Sequence, residues 1–167
     1  MTIRHIGNTK VKAEFSPCEQ FRYTLTIDYI PSNGSKTVCA IMQNPSKANE
    51  EIADKSVQFL EKLIFEKDYE EFSDVRRLII VNQFAFIETN NFKGREEQMG
   101  PGNDRVIKEA LEHSDIGLVA WGKTNKHEKR KRTIFKMISE SLIDPIYFTK
   151  KHPSRGCYTD FIYESNI

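Results

Sequence analysis

The sequence is short of cysteine, of long apolar runs and of charge of one sign, and each shortage excludes something. Its three cysteines, Cys18, Cys39 and Cys157, cannot all pair and do not stand at metal-ligand spacing. No run of about 18 apolar residues occurs, so no membrane span is expected. Met1 to Phe15 mixes polar and charged residues and lacks the apolar stretch of a signal peptide. Lys and Arg number 25 against 24 Asp and Glu, a net charge of +1 that by itself suggests neither a nucleic-acid binder nor an acidic tail. There is no internal repeat and no low-complexity segment. What is present is 38% hydrophobic and 29% charged residues over 167 positions. That is enough for one packed domain, residues 1–167, expected in the reducing cytoplasm without metal or cofactor.

The near-zero net charge hides an asymmetry. Lys47 to Asp74 holds nine acidic residues against four basic ones, whereas Lys123 to Arg155 holds ten basic against three acidic. Within the second stretch, Lys123 to Arg132 (KTNKHEKRKR) carries six positive charges and one Glu. Such a block either attracts polyanions without regard to their sequence or is a solvated helix start.

Period-two alternation in Arg22–Ile30, the Pro31–Gly34 turn and the apolar run Thr37–Gln43 predict a β-hairpin whose second strand enters the core. Val57, Leu60, Leu63 and Ile64 share one face of a helix over Ser56–Glu66, with Asp54 or Ser56 as its cap. Arg77–Phe84 reads as a buried strand, followed by a loop rich in Asn, Gly and Glu that ends at Gly100-Pro101-Gly102. Asn103 or Asp104 can cap a helix to about His113, and Ile116–Trp121 is another apolar strand. Arg130–Leu142 is helical, with Ile134, Phe135, Ile138 and Leu142 on one side, and Ile146–Thr149 is a last strand. Apolar strands joined by amphipathic helices predict an α/β three-layer sandwich around a mostly parallel four-stranded sheet. Arg22–Ile30 would be its antiparallel edge strand.

In open parallel sheets, ligands bind beyond the carboxyl ends of the strands. Polar or aromatic groups stand at all four ends here: Gln43-Asn44-Pro45-Ser46, Asn82 within VNQFAF, Trp121-Gly122, and Lys151-His152-Pro153-Ser154-Arg155. Each has a plainer reading as turn, satisfied core amide, core aromatic or surface histidine, but their shared position points to a recognition site.

The motifs Arg22-Tyr23-x-Leu25, Asn44-Pro45-Ser46, Asp54, Val81-Asn82-x-Phe84-Ala85, Gly100-Pro101-x-Asn103-Asp104, Ala120-Trp121-Gly122 and Thr149-Lys150 with His152-Pro153 span nearly the whole chain. In these the chain resembles a bacterial and phage family known only as a domain of unknown function. More distantly, Asn44-Pro45, Asn82, Trp121-Gly122 and His152-Pro153-Ser154 resemble, in kind and in order, motifs of the uracil-DNA glycosylase superfamily.

That second resemblance implies a uracil-DNA-glycosylase-like sheet and hydrolysis of an N-glycosidic bond to a pyrimidine, modified or not. Asn44, or backbone near it, would hold the attacking water, and His152 would donate to the leaving base. Asn82 would read the base edge with an amide that both donates and accepts. Gln43, Pro45, Ser46, Asp54, Phe84, Trp121 and Gly122 would complete the substrate site. Lys123, Lys129, Arg130, Lys131, Arg132, Lys151, Ser154 and Arg155 would contact nucleic acid, DNA rather than RNA.

The departures are also informative. An amide at position 44 cannot take the water's proton as a carboxylate can, so slow catalysis is expected. Asp54 is either the base or only a helix cap. Ser46 stands where the uracil-specific branch blocks thymine's methyl with an aromatic ring, leaving room for larger bases. No four suitably spaced cysteines could carry an iron–sulfur cluster. A non-catalytic nucleic-acid-binding module and an enzyme acting on a free nucleoside or nucleotide are the competing expectations.

Overall fold

The computed structural model describes residues 2–87 and 90–167; positions 88 and 89, in the loop read after the second apolar strand, lie outside them. Among the described residues seven strands form one mixed sheet with three helices. In chain order these are β1 (Thr9–Phe15), β2 (Arg22–Tyr29), β3 (Lys36–Met42), α1 (Lys55–Phe65), β4 (Val75–Asn82), α2 (Asn103–Glu112), β5 (Ile116–Val119), α3 (Glu128–Ser141), β6 (Ile146–Thr149) and β7 (Ile162–Glu164). The class is α/β. Across the sheet the order is β1-β2-β4-β3-β5-β6-β7. The pairs β4–β3, β3–β5 and β5–β6 are parallel, while β1–β2, β2–β4 and β6–β7 are antiparallel.

The expected hairpin between Arg22–Ile30 and Thr37–Gln43 does not form. β2 pairs with β1 and β4 instead, so it lies inside the sheet and β1 is the edge. The reason is that β3 is apolar on both faces. Val38, Ala40 and Met42 join the core under α1, while Cys39 and Ile41 join the core under α2 and α3. A strand of that kind belongs at the centre with parallel neighbours. The flanking β1 and β7 were not read from the sequence. β1 alternates Val11 and Ala13 with Lys10, Lys12 and Glu14, a charged pattern suited to an edge, and β7 is only three residues long.

Helices cover both faces. Val57, Leu60, Leu63 and Ile64 of α1 pack on one, and Ile107, Leu111, Ile134, Met137 and Ile138 of α2 and α3 on the other. Two expected details are corrected. Leu142 is not inward: it adopts a left-handed conformation (φ 62°) just after α3 and is 87% exposed. Neither Asn103 nor Asp104 caps α2; the cap is Gly102 in a left-handed conformation (φ 75°). Asn103 is buried, its Nδ2 donating to the carbonyls of Asn82 and Gln83. No described helix is long and apolar enough to cross a membrane.

Candidate active site at the carboxyl edge of the sheet

The parallel register brings the ends of β3, β4, β5 and β6 to one edge, with Met42 beside Asn82, Ile41 beside Val119 and Val119 beside Phe148. Two adjoining pockets open there. The first, of about 270 Å³, is lined by Asn44, Pro45, Ser46, Asp54, Asn82 and His152 together with Arg22, Met42, Lys55, Ser56 and Val57. The second, of about 530 Å³, is lined by Gln43, Trp121, Gly122, Lys123, Lys151, Ser154 and Arg155 together with Thr124 and Lys150. His152 borders both.

In the first pocket Asn82 is 1% exposed, and neither its amide oxygen nor its nitrogen has a hydrogen-bond partner among the described residues. Asn44 is half-buried; its Oδ1 accepts from Gln43 Nε2 at 3.3 Å and its Nδ2 donates to Pro45 O at 3.4 Å. Asp54 is a helix cap: Oδ1 accepts from Val57 N at 2.8 Å, while Oδ2 accepts from the Ser46 hydroxyl.

His152 precedes a short 3₁₀ turn. Ser154 N donates to its Nδ1 at 3.1 Å, and Ser154 Oγ lies 2.8 Å from the same atom. A ring nitrogen that accepts a backbone N–H carries no proton, so the neutral ring holds its hydrogen on Nε2. Burial, then the charge of Arg155, lowers the His152 pKa despite the opposing pull of Asp54, which favours that neutral form. The backbone of His152 passes close to Gly122, just beyond β5. A Cβ on Gly122 would sit 2.8 Å from His152 N, and Gly122 has φ +80°, so only glycine fits there.

The loop carrying Asn44, Pro45 and Ser46 is stapled from behind. His5 Nδ1 lies 2.6 Å from Glu61 Oε2 and its Nε2 lies 2.7 Å from Asn49 O. Ile6 N donates to Glu61 Oε1, and Ala53 N to Ile3 O. From the other side Gln83 N and Phe84 N donate to Met42 O and Gln43 O, clamping the end of β4 to the end of β3.

Several expected residues sit elsewhere. Phe84 is buried in a ring cluster with Phe92 and His127, and with Lys129 and Arg130 it lines a separate pocket of about 390 Å³. Trp121 packs on Phe135 in the core under α3, reaching the second pocket only from its wall. The basic stretch is divided. Lys123, Lys129, Arg132, Lys151 and Arg155 are exposed. Arg130 and Lys131, expected as nucleic-acid contacts, are only 7% and 6% exposed. Arg130 Nε donates to Gln83 O and its Nη2 pairs with Asp104 at 2.7 Å; Lys131 Nζ donates to Thr124 O. Their charges hold the start of α3 onto the sheet edge, and sequence alone cannot distinguish them from their solvated neighbours.

One residue of the site was missed. Arg22, the first residue of β2, is 1% exposed and lines the first pocket. Burial lowers its pKa to about 10 against the pull of Asp54, so it stays charged at neutral pH. The signal available was a cation opening a strand that otherwise alternates into the core, within the Arg22-Tyr23-x-Leu25 motif.

The chain belongs to the family described as a protein of unknown function, DUF1643, which matches residues 22–155. That span begins at Arg22 and ends at Arg155, so it contains both pockets and omits β1 and β7. No curated protein and no solved structure matches the chain.

Proposed function

We propose that this protein takes a base flipped out of DNA into the Asn44–Asn82–His152 pocket and cleaves its N-glycosidic bond. The observation that carries this reading is convergence: segments around positions 22, 44, 54, 82 and 152 line one small pocket whose buried amide, Asn82, lacks a protein partner. Gln83 and Asn103 also have buried amide atoms without a partner among the described residues, but only Asn82 borders this pocket, where a ligand could reach it. A nucleobase edge supplies an acceptor beside a donor, which is what an amide matches. The four parallel strands in the order β4-β3-β5-β6, with Asn82 as the last residue of β4 and Asn44, Gly122 and His152 past the other ends, support the finer resemblance to the uracil-DNA glycosylase superfamily.

In this reading the departing base takes the bonding electrons, and His152 donates from Nε2 to one of its oxygens. Asn44 positions water beside C1′. Lys123, Lys151 and Arg155 around the adjoining pocket hold phosphates, offsetting the few kcal/mol that unstacking a base costs. A second reading, binding without cleavage, is favoured by one observation: both oxygens of Asp54, the pocket's carboxylate, are engaged within the protein.

Release of free base from single- and double-stranded oligonucleotides carrying uracil, mismatched thymine or modified pyrimidines tests the proposal, with Asn44→Ala alongside. Release that disappears in the variant supports cleavage. Salt-sensitive binding without release supports the second reading. Absence of both points to a free nucleoside or nucleotide.

A further inference from the structure

We propose that Arg22 is a catalytic residue of the same pocket, taking up the negative charge that leaves with the base and restricting substrates to bases that carry a ring carbonyl. The inference rests on the glycosidic reading above and adds to it a group that the strand-end argument did not reach. Its basis is an imbalance. The Arg22 side chain is almost wholly buried, Nη1 donates to Ala48 O at 2.8 Å, and Nε has no partner. Among the described residues no carboxylate lies within 4.0 Å of it; Asp54 acts on it only through space.

Arg130 shows what a structural arginine of this fold looks like. It too is buried, at 7% exposure, but its Nε donates to Gln83 O and its Nη2 lies 2.7 Å from Asp104 Oδ1. A buried charge left without such partners is costly unless something else completes it. Arg22 lines the pocket beside Asn82, which also has unused polar atoms, so both residues await the same ligand. The antiparallel pairing of β2 with β4 explains the placement, because it sets the start of β2 at the end of β4, where Arg22 N donates to Ala85 O at 2.9 Å.

The C1′–N bond breaks and its electron pair stays on the base, delocalised onto the ring carbonyl oxygen that faces the guanidinium. The oxygen of water bonds to C1′, and the proton that water loses ends on the released base. A guanidinium is suited to an oxyanion because it is charged at all working pH values and donates from a fixed fork. Adenine has no carbonyl to offer and is excluded.

Single-turnover base release by the full chain is measured on uracil and on 5-fluorouracil, whose electron-withdrawing substituent makes it the better leaving group. The substitutions are Arg22→Gln and Arg22→Lys. With Arg22→Gln, release of uracil is expected to fall about 100-fold, and release of 5-fluorouracil by a clearly smaller factor, since a base that stabilises its own anion needs the arginine less. If the glutamine variant does not fold, Arg22→Lys gives the same comparison with the charge retained, expected to lose about tenfold on uracil and less on 5-fluorouracil. Equal losses on the two bases, or none, overturn the role of Arg22 while leaving the glycosidic reading in place. Release of adenine at a rate like that of uracil overturns the restriction to carbonyl-bearing bases. Absence of release by the unaltered protein overturns the reading itself, and this role with it.

Discussion

Two buried polar clusters lie on the α1 side of the sheet, joined by the segment from Asn44 to Asp54, and they are finished differently. In the His5–Glu61 clasp every atom has work: both carboxylate oxygens of Glu61 accept, and both ring nitrogens of His5 face acceptors. Acceptors on both sides favour the doubly protonated ring, and the His5 pKa is raised although burial opposes it. In the Arg22–Asn82 pocket the reverse holds, and three buried polar atoms have no partner. Other buried polar atoms, such as both amide atoms of Gln83, also lack partners among the described residues, but those of Arg22 and Asn82 border a pocket. Comparable burial thus means anchorage in the first case and, under the proposed function, recognition in the second.

The largest effect is expected from cutting the clasp. Glu61→Ala leaves Ile6 N and His5 Nδ1 without their acceptor and is expected to cost about 3 kcal/mol of unfolding free energy in a urea titration. A loss under about 1 kcal/mol would show that the clasp anchors nothing. The matching cut in the pocket runs the other way: Asn82→Leu removes an amide that has no internal partner, so stability should stay within about 1 kcal/mol of the parent while base release is lost.

Next in size is His152→Ala, expected to lower single-turnover release about 100-fold with little change in the unfolding midpoint. A large drop in stability instead would make the residue part of the scaffold.

The two histidines also separate by pH. Burial pulls the His5 pKa down, but the Glu61 and Asn49 hydrogen bonds and the charges of Glu61 and Asp54 outweigh it, and the pKa ends raised. Its stabilisation is therefore complete below the unfolded value of about 6.5 and is lost as pH rises through the higher folded value. His152, with a lowered pKa, does the opposite: its folded form resists protonation, so stability falls as pH drops below about 6.5 towards the lower folded value. Unfolding curves between pH 4 and 9 should show His5→Gln flattening the alkaline side and His152→Gln the acid side.

The smallest effect distinguishes exposed from internal cations. Lys151→Ala and Arg155→Ala should each lower the slope of log DNA affinity against log salt by about one. Arg130→Ala should leave the slope unchanged and cost stability, because its charge is spent on Gln83 and Asp104.

Much of the architecture was legible because the signals were local. Apolar runs at Thr37–Gln43, Arg77–Phe84, Ile116–Trp121 and Ile146–Thr149 all became strands, and the amphipathic periods between them became the three helices. β1 was passed over because its charged alternation resembles surface chain, and the hairpin was misread because adjacency along the chain is a weak guide to which strands pair. Of the candidate site, Asn44, Pro45, Ser46, Asp54, Asn82 and His152 do come together, since rules for parallel sheets say where strand ends meet. Phe84 was misassigned because a residue two positions past Asn82 has already turned into another pocket.

The class, the helices and the edge at which polar groups gather follow from the order of residues, because hydrophobic period and strand–helix alternation are properties of neighbours along the chain. It took the packing of distant segments to turn Arg130 and Lys131 inward, to occupy both oxygens of the capping Asp54, and to bury Arg22 without a counterion. These depend on what distant segments place around a charge, and a polar side chain's meaning is set by whether those surroundings satisfy it.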